Sequence, residues 1–225
     1  MTAEPGVAGL YRLLAWASPA FPTGGFSYSH GLEAAAADGA VHDRKSLQRW
    51  ITAVVAKGSG RVDADVLRDA WRAATAGDDA ALAAANRRGC AYRASAELAL
   101  ESNQQGAAFV AAYEAAWAES MGLRGDEVCH AAAFGAAAAR AGIGLSEALT
   151  GYLHTFSANL MSAGLRLGIV GQSGGQRILA ALEPVVAQAV EASLARDPED
   201  FGAATFAADL ASMAHETQYS RLFRS

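Results

Sequence analysis

The chain has 225 residues, enough for one large domain or two small ones and for a substantial buried core. Its apolar share of 52% is largely alanine, the best helix former, which points to closely approaching helices. A net charge of −5 with acids and bases interspersed lacks the basic stripe of a nucleic-acid binder, so that class of partner is not expected.

Met1–Gly6 shows neither the basic start nor the apolar run of a secretory leader, and no stretch of ~18 apolar residues is free of charges and breaks. Cys90 and Cys129 stand far apart. Together these predict a cytoplasmic protein with reduced thiols and no membrane span.

Val7 to Ala17 sets Leu10, Leu13, Leu14 and Ala17 at i, i+3, i+4 and i+7, predicting an amphipathic helix that Pro19 ends. The run Ser18–Glu33 then reads SPAFPTGGFSYSHGLE. Two prolines fix φ and remove amide donors, and Gly24-Gly25 permits backbone conformations that other residues avoid. Phe21, Phe26 and Tyr28 are costly to leave in water, so this loop is shaped for contact rather than for connection.

A second helix is predicted from about Ser29 through Ala34–Ala37, stopped by Asp38-Gly39. Asp43 is the expected cap of a third, through Leu47, Trp50, Ile51, Val54 and Val55, with Gly58 and Gly60 as exits. A fourth runs from Asp63 to Ala76, and Ala80 to Leu100 continues helically with Gly89 weakening its middle. Glu101–Gly106 reads as a polar interruption before Phe109, Val110, Tyr113 and Trp117 restore the period. Gly122 and Gly125 bracket a turn, and Asp126 caps a helix from Glu127 to Ala141. Ser146 opens a long apolar helix with Leu149, Leu153, Phe156 and Leu160; Pro184 predicts a kink or restart in the next. A last helix covers about Ala203 to Met213. Leu165–Val170 alternates only in part and makes no sheet. The fold expected is an all-α, single-domain bundle of about ten helices over residues 1–225, without a solenoid repeat.

Gly171-Gln172-Ser173-Gly174-Gly175 matches G-x-S-x-G, with Asp209 and His215 following in hydrolase order. That elbow needs a sheet beneath it, and the helices predicted here favour instead a cap at Ser173 or Gln172. His215-Glu216-Thr217-Gln218-Tyr219 opens like H-E-x-x-H but has Tyr219 where the second histidine must stand. The five histidines are scattered and most read as surface or cap residues, so neither a zinc site nor another four-ligand metal site is expected. No P-loop occurs. Glu97 and Glu101, at i and i+4, read as an exposed acidic stripe rather than as acid–base partners of Glu33. The tail, about 212–225, mixes Tyr219, Leu222 and Phe223 with Arg221 and Arg224. Those residue types suit an interface hot spot and equally a tail folded back onto its own core.

The motif from Ser18 to Glu33 resembles the N-terminal signature of the urease accessory protein F family, S-P-x-x-P-x-G-x-[FY]-x-[YF]-S-x-G-[LI]-E. The resemblance continues through Glu97-Leu98, Gln105-Gly106, Asn159, Arg166-Leu167, Gly171-Gln172 and Gly175-Gln176 to Ser212, His215-Glu216 and Tyr219–Phe223. It implies an all-α homodimer without catalysis or a cofactor of its own. Such a protein links a GTPase, accessory protein G, to the scaffold protein D (also called H) during GTP-dependent nickel delivery to apo-urease. GTP would be bound by the partner, and nickel would pass through the complex as cargo. The resemblance marks Phe26, Tyr28, His30, Glu33, Glu97, Arg166 and Gln172 for partner contact, and in the tail His215, Glu216, Tyr219, Arg221, Leu222 and Phe223. His30 stands where many members carry glutamine, Arg166 replaces a frequent lysine and keeps its charge, and Gly174 lacks a common carboxylate. A serine hydrolase built on Gly171–Gly175 and a helical metal-binding protein are the competing classes.

Overall fold

A computed structural model describes residues 6–123 and 127–225; the expected turn residue Gly125 and cap Asp126, like Met1–Pro5, lie outside that range. Ten α-helices form among the described residues, and no strand. They are α1 (Val7–Ala17), α2 (Leu32–Ala37), α3 (Arg44–Lys57), α4 (Ser59–Ala76) and α5 (Asp79–Ala91). After them come α6 (Ala96–Trp117), α7 (His130–Arg140), α8 (Leu145–Arg166), α9 (Gln172–Ala195) and α10 (Phe206–His215). The protein is all-α.

Local chemistry sets several boundaries. The Asp43 carboxylate accepts the Ser46 N–H at 2.7 Å while the Ser46 hydroxyl accepts the Asp43 N–H at 2.9 Å, a reciprocal cap that starts α3. Gly58 ends α3 as expected, but Gly60 lies inside α4. A Cβ at Gly60 would press on the Val55 backbone, so this glycine permits two helices to join through one residue. Ser95, which accepts the Leu98 N–H at 3.1 Å, caps α6.

Three expected breaks fall elsewhere. The chain leaves the helix at Tyr92–Ser95, whereas Glu101–Gly106 sits within α6. Ser102, Gln105 and Gly106 are buried there, and the stretch is polar because it faces polar neighbours, not because the helix ends. The helix α7 starts at His130 rather than at Glu127. Pro184 lies on the exposed side of an unbroken α9, where water can serve the carbonyl that it leaves without a donor.

The core centres on α7. Ala131, Ala132, Ala133, Ala136, Ala137 and Ala138 are fully buried, and the small face lets α4 approach until a Cβ at Gly135 would collide with the Leu67 carbonyl. Beside it Trp16 packs edge-on against Phe109, Trp117 and Phe134 at 5.7–5.9 Å. A buried ionic knot ties α4 to the end of α9: Arg68 reaches the Ser193 carbonyl at 2.6 Å, and Arg196 reaches Asp65 at 2.7 Å.

The stripe expected on α1 is corrected. Gly9, Leu13 and Trp16 face inward, while Leu10 and Leu14 join Val7 and Tyr11 in the solvent. An apolar surface all around the helix gave the period no face to choose. The helix α9 is long and apolar enough by composition to cross a membrane, yet it carries Arg177, Glu183 and Glu191. It packs a stripe of Ile178, Leu182, Val186 and Val190 against the bundle.

Candidate functional site: a loop clasped by the tail

The Ser18–Glu33 loop and the tail meet on one side of the bundle. Phe21 anchors the loop against Phe109 at 5.2 Å, and a 3₁₀ turn at Gly25–Ser27 leads to the buried Tyr28. Tyr28 donates its hydroxyl to Gln104 on α6, and burial raises its pKa above the ordinary 10.0. His30 and Gly31 both adopt positive φ, 58° and 77°. At Gly31 any Cβ would meet the Ser212 backbone nitrogen, so glycine is what lets α10 cross the loop.

The tail then closes over the loop. The Arg224 N–H donates to the Ser27 carbonyl at 2.9 Å, and the Ser29 N–H donates to the Ser225 carbonyl at 2.8 Å. Glu33 accepts the N–H groups of Leu222 and Phe223 at 2.7 and 2.9 Å. His215, fully buried, spans Glu33 and Glu97, with its Nε2 3.0 Å from one carboxylate and its Nδ1 2.7 Å from the other. Arg221 donates to the second oxygen of Glu97 at 2.8 Å. A parallel set joins His30 to Glu101 at 3.2 Å and to Ser59 at 2.7 Å, with Ser225 donating to Glu101 at 2.8 Å. Arg166 donates to the Phe26 carbonyl and lies 4.3 Å over the Phe223 ring.

Burial would push the Glu33 carboxyl up, but the bonds from Leu222, His215 and Phe223 outweigh it and hold the pKa below the ordinary 4.5. Glu101 behaves likewise: burial raises it, and His30 with Ser225 brings it below the ordinary value. Glu33 and Glu101 are therefore desolvated carboxylates kept ionised by donors from the tail and loop.

Among the residues expected to bind partners, Tyr28, His30, Glu33, Glu97, His215 and Phe223 are buried. Phe26, Arg166, Glu216, Tyr219, Arg221 and Leu222 are exposed. Gln172 is exposed at the start of α9 and makes no hydrogen bond to this cluster. The exposed acidic stripe expected of Glu97 and Glu101 is overturned, since each carboxylate turns inward to a histidine. The surface reading of the histidines fails for His30 and His215 for the same reason. Gly171, not Gln172 or Ser173, occupies the cap of α9, and Ser173 is an exposed residue of its first turn. No strand forms among the described residues to support it, and His215 is engaged by two glutamates, so the nucleophile elbow does not form. No group of three metal-ligating side chains gathers among the described residues.

Sequence reasoning missed Gln104, Ser59 and Ser225, whose types carry no pattern. It also missed an exposed apolar row on α10, Phe206, Leu210 and Met213. Their i, i+4, i+7 spacing was a readable signal, but periodicity shows a face without telling whether it is covered.

The sequence model of the UreF family matches residues 41–183. Urease accessory protein UreF of Granulibacter bethesdensis is 48% identical, covering 100% of this chain and 97% of its own length. Urease accessory protein UreF of Rhodopseudomonas palustris (strain BisA53) is 44% identical over 97% of this chain and 94% of its own. The Brucella ovis protein of the same name is 43% identical over 100% and 97%.

Proposed function

This chain belongs to the urease accessory protein UreF family, and from that premise we propose that it is a non-catalytic adaptor in urease maturation. In this reading it docks on the scaffold protein D (H), holds the GTPase accessory protein G, and gates GTP-dependent nickel delivery to cytoplasmic apo-urease. GTP belongs to the partner and nickel is cargo.

The observation that supports this most is the clasp itself. Its buried half, from Glu33 to His215, fixes the backbone, and its outer half presents Tyr219, Leu222 and Phe26 to solvent. Rigid aromatic and apolar groups held by a satisfied polar base suit a docking surface. The buried members, His215 and Glu33 among them, act by shaping that surface rather than by touching the partner. The exposed row Val7, Leu10, Tyr11 and Leu14 on α1 is the surface offered to a second copy.

Tyr219→Asp with Leu222→Asp should abolish co-purification with accessory protein D while far-ultraviolet circular dichroism stays unchanged. Full retention of the complex would count against the docking surface. Leu10→Arg with Leu14→Arg should shift sedimentation from dimer to monomer, and an unshifted dimer would place its interface elsewhere.

A further inference from the structure

A pocket of about 300 Å³ opens where α4, α6 and α10 meet the Tyr92–Ser95 connection. Its walls are apolar at Val62, Leu98 and Ala203. They are aromatic at the half-exposed Tyr92, which packs edge-on against Phe201 at 4.8 Å. Asp209, half-buried on α10, is the acid of this lining, and among the described residues no hydrogen bond or ion pair reaches its carboxylate. Its oxygens stay open to water, unlike the closed, unpartnered polar atoms of the core such as Trp16 Nε1. Burial lifts the Asp209 pKa above the ordinary 3.8, and the nearby charge of His30 works against that rise. His30 itself bonds to Ser59 of the same lining at 2.7 Å, so a carboxylate that feels His30 is turned inward over the pocket.

The other charges at this site are already matched. Arg93 pairs with Asp63 at 2.8 Å and also donates to the Gly89 carbonyl and the Cys129 sulfur. His30 faces Glu101 at 3.2 Å. The charge left over is negative and sits on Asp209. An anion is therefore repelled, and a neutral guest leaves a partly desolvated carboxylate without its counter-charge. An ammonium group answers it with charge-assisted hydrogen bonds and is drawn to the face of the Tyr92 ring. An alkyl chain behind the ammonium would cover Val62, Leu98 and Ala203 and gain from their removal from water. A cavity of roughly 150 Å³ holds benzene, so a four-carbon chain fits here with room for water at its charged end.

We propose that this pocket binds a free, short primary alkylammonium, its N–H groups on Asp209 and its chain along the apolar wall. The site is separate from the exposed surface of the tail, and its binding is read without any urease partner.

The test titrates the full chain with n-butylammonium at constant ionic strength, and in parallel with n-butanol, butyrate and tetramethylammonium, following backbone amide resonances. Tetramethylammonium reports the general attraction of a chain of net charge −5 for any cation, since it has no N–H to donate. Saturable one-to-one binding of n-butylammonium is expected, with the Tyr92 and Asp209 amides shifted and the other three probes at least about tenfold weaker. Asp209→Asn keeps the shape and removes the charge; it should weaken n-butylammonium at least about tenfold with the helical spectrum unchanged. Absence of saturable binding, n-butanol or tetramethylammonium binding as tightly, or undiminished affinity in Asp209→Asn would each overturn the proposal. The comparison of probes on the wild-type chain decides the matter even if the variant fails to fold.

Discussion

Replacing Glu33 by alanine removes one carboxylate that three tail groups share: the N–H groups of Leu222 and Phe223 and the ring of His215. Hydrogen bonds to a charged acceptor contribute about 1.5–3 kcal/mol each, so the two backbone bonds together stand for about 3–6 kcal/mol. Leu222 is exposed and its N–H can turn to water, whereas Phe223 is buried; a loss of about 3–5 kcal/mol is the consistent range. The cost falls on the tail, because the α4–α7 core makes no use of Glu33. Hydrogen-exchange mass spectrometry of residues 216–225 should therefore show protection falling by about a hundredfold or more. Peptides from α4 and α7 should keep theirs. Unchanged tail protection would mean that Glu33 is not the clasp, and a matching loss in α7 would mean that tail and core unfold as one unit.

Gly135→Val drives a branched side chain into the Leu67 carbonyl, and overpacking of this kind costs about 1–3 kcal/mol or more, outweighing the helix propensity gained. Thermal unfolding should shift downward, and an unchanged midpoint would show that α4 and α7 separate without penalty. Acid should act in two windows. His130 has a folded pKa near 4 against an ordinary 6.5, so the unfolded chain takes up its proton first and stability declines as pH falls from about 6.5 toward 4. His130→Phe should flatten that decline in denaturant titrations, and an identical slope would clear His130 of responsibility. Glu33 and Glu101 have depressed values, so their contribution is present above 4.5 and is lost as pH falls below it through the folded values. Exchange of the tail should rise in that second window; a tail that stays protected there would show that its hold does not need ionised carboxylates.

Much of this was legible in the residues. The Asp43 cap of α3 and the Pro19 end of α1 are local events, in which one side chain or one fixed dihedral decides the outcome. Glu101–Gly106 misled because polarity was taken for exposure; its Ser102 and Gln105 are buried against Cys129 and Glu101. The helix α1 misled in the opposite way, since four apolar residues on its outer side resemble a core stripe until a neighbour is known to be missing.

The SPAFPTGGFSYSHGLE run and the helix-rich composition determined by themselves the fold class and the family, because proline, glycine and alanine act on the backbone where they stand. Only the tertiary structure decided that Glu33, Glu97 and His215 form one buried bridge and that the tail lies upon the loop. His215 stands more than a hundred residues along the chain from either glutamate, as Phe223 does from Glu33. A carboxylate's role is set by which donors folding delivers to it, and no local pattern encodes that delivery.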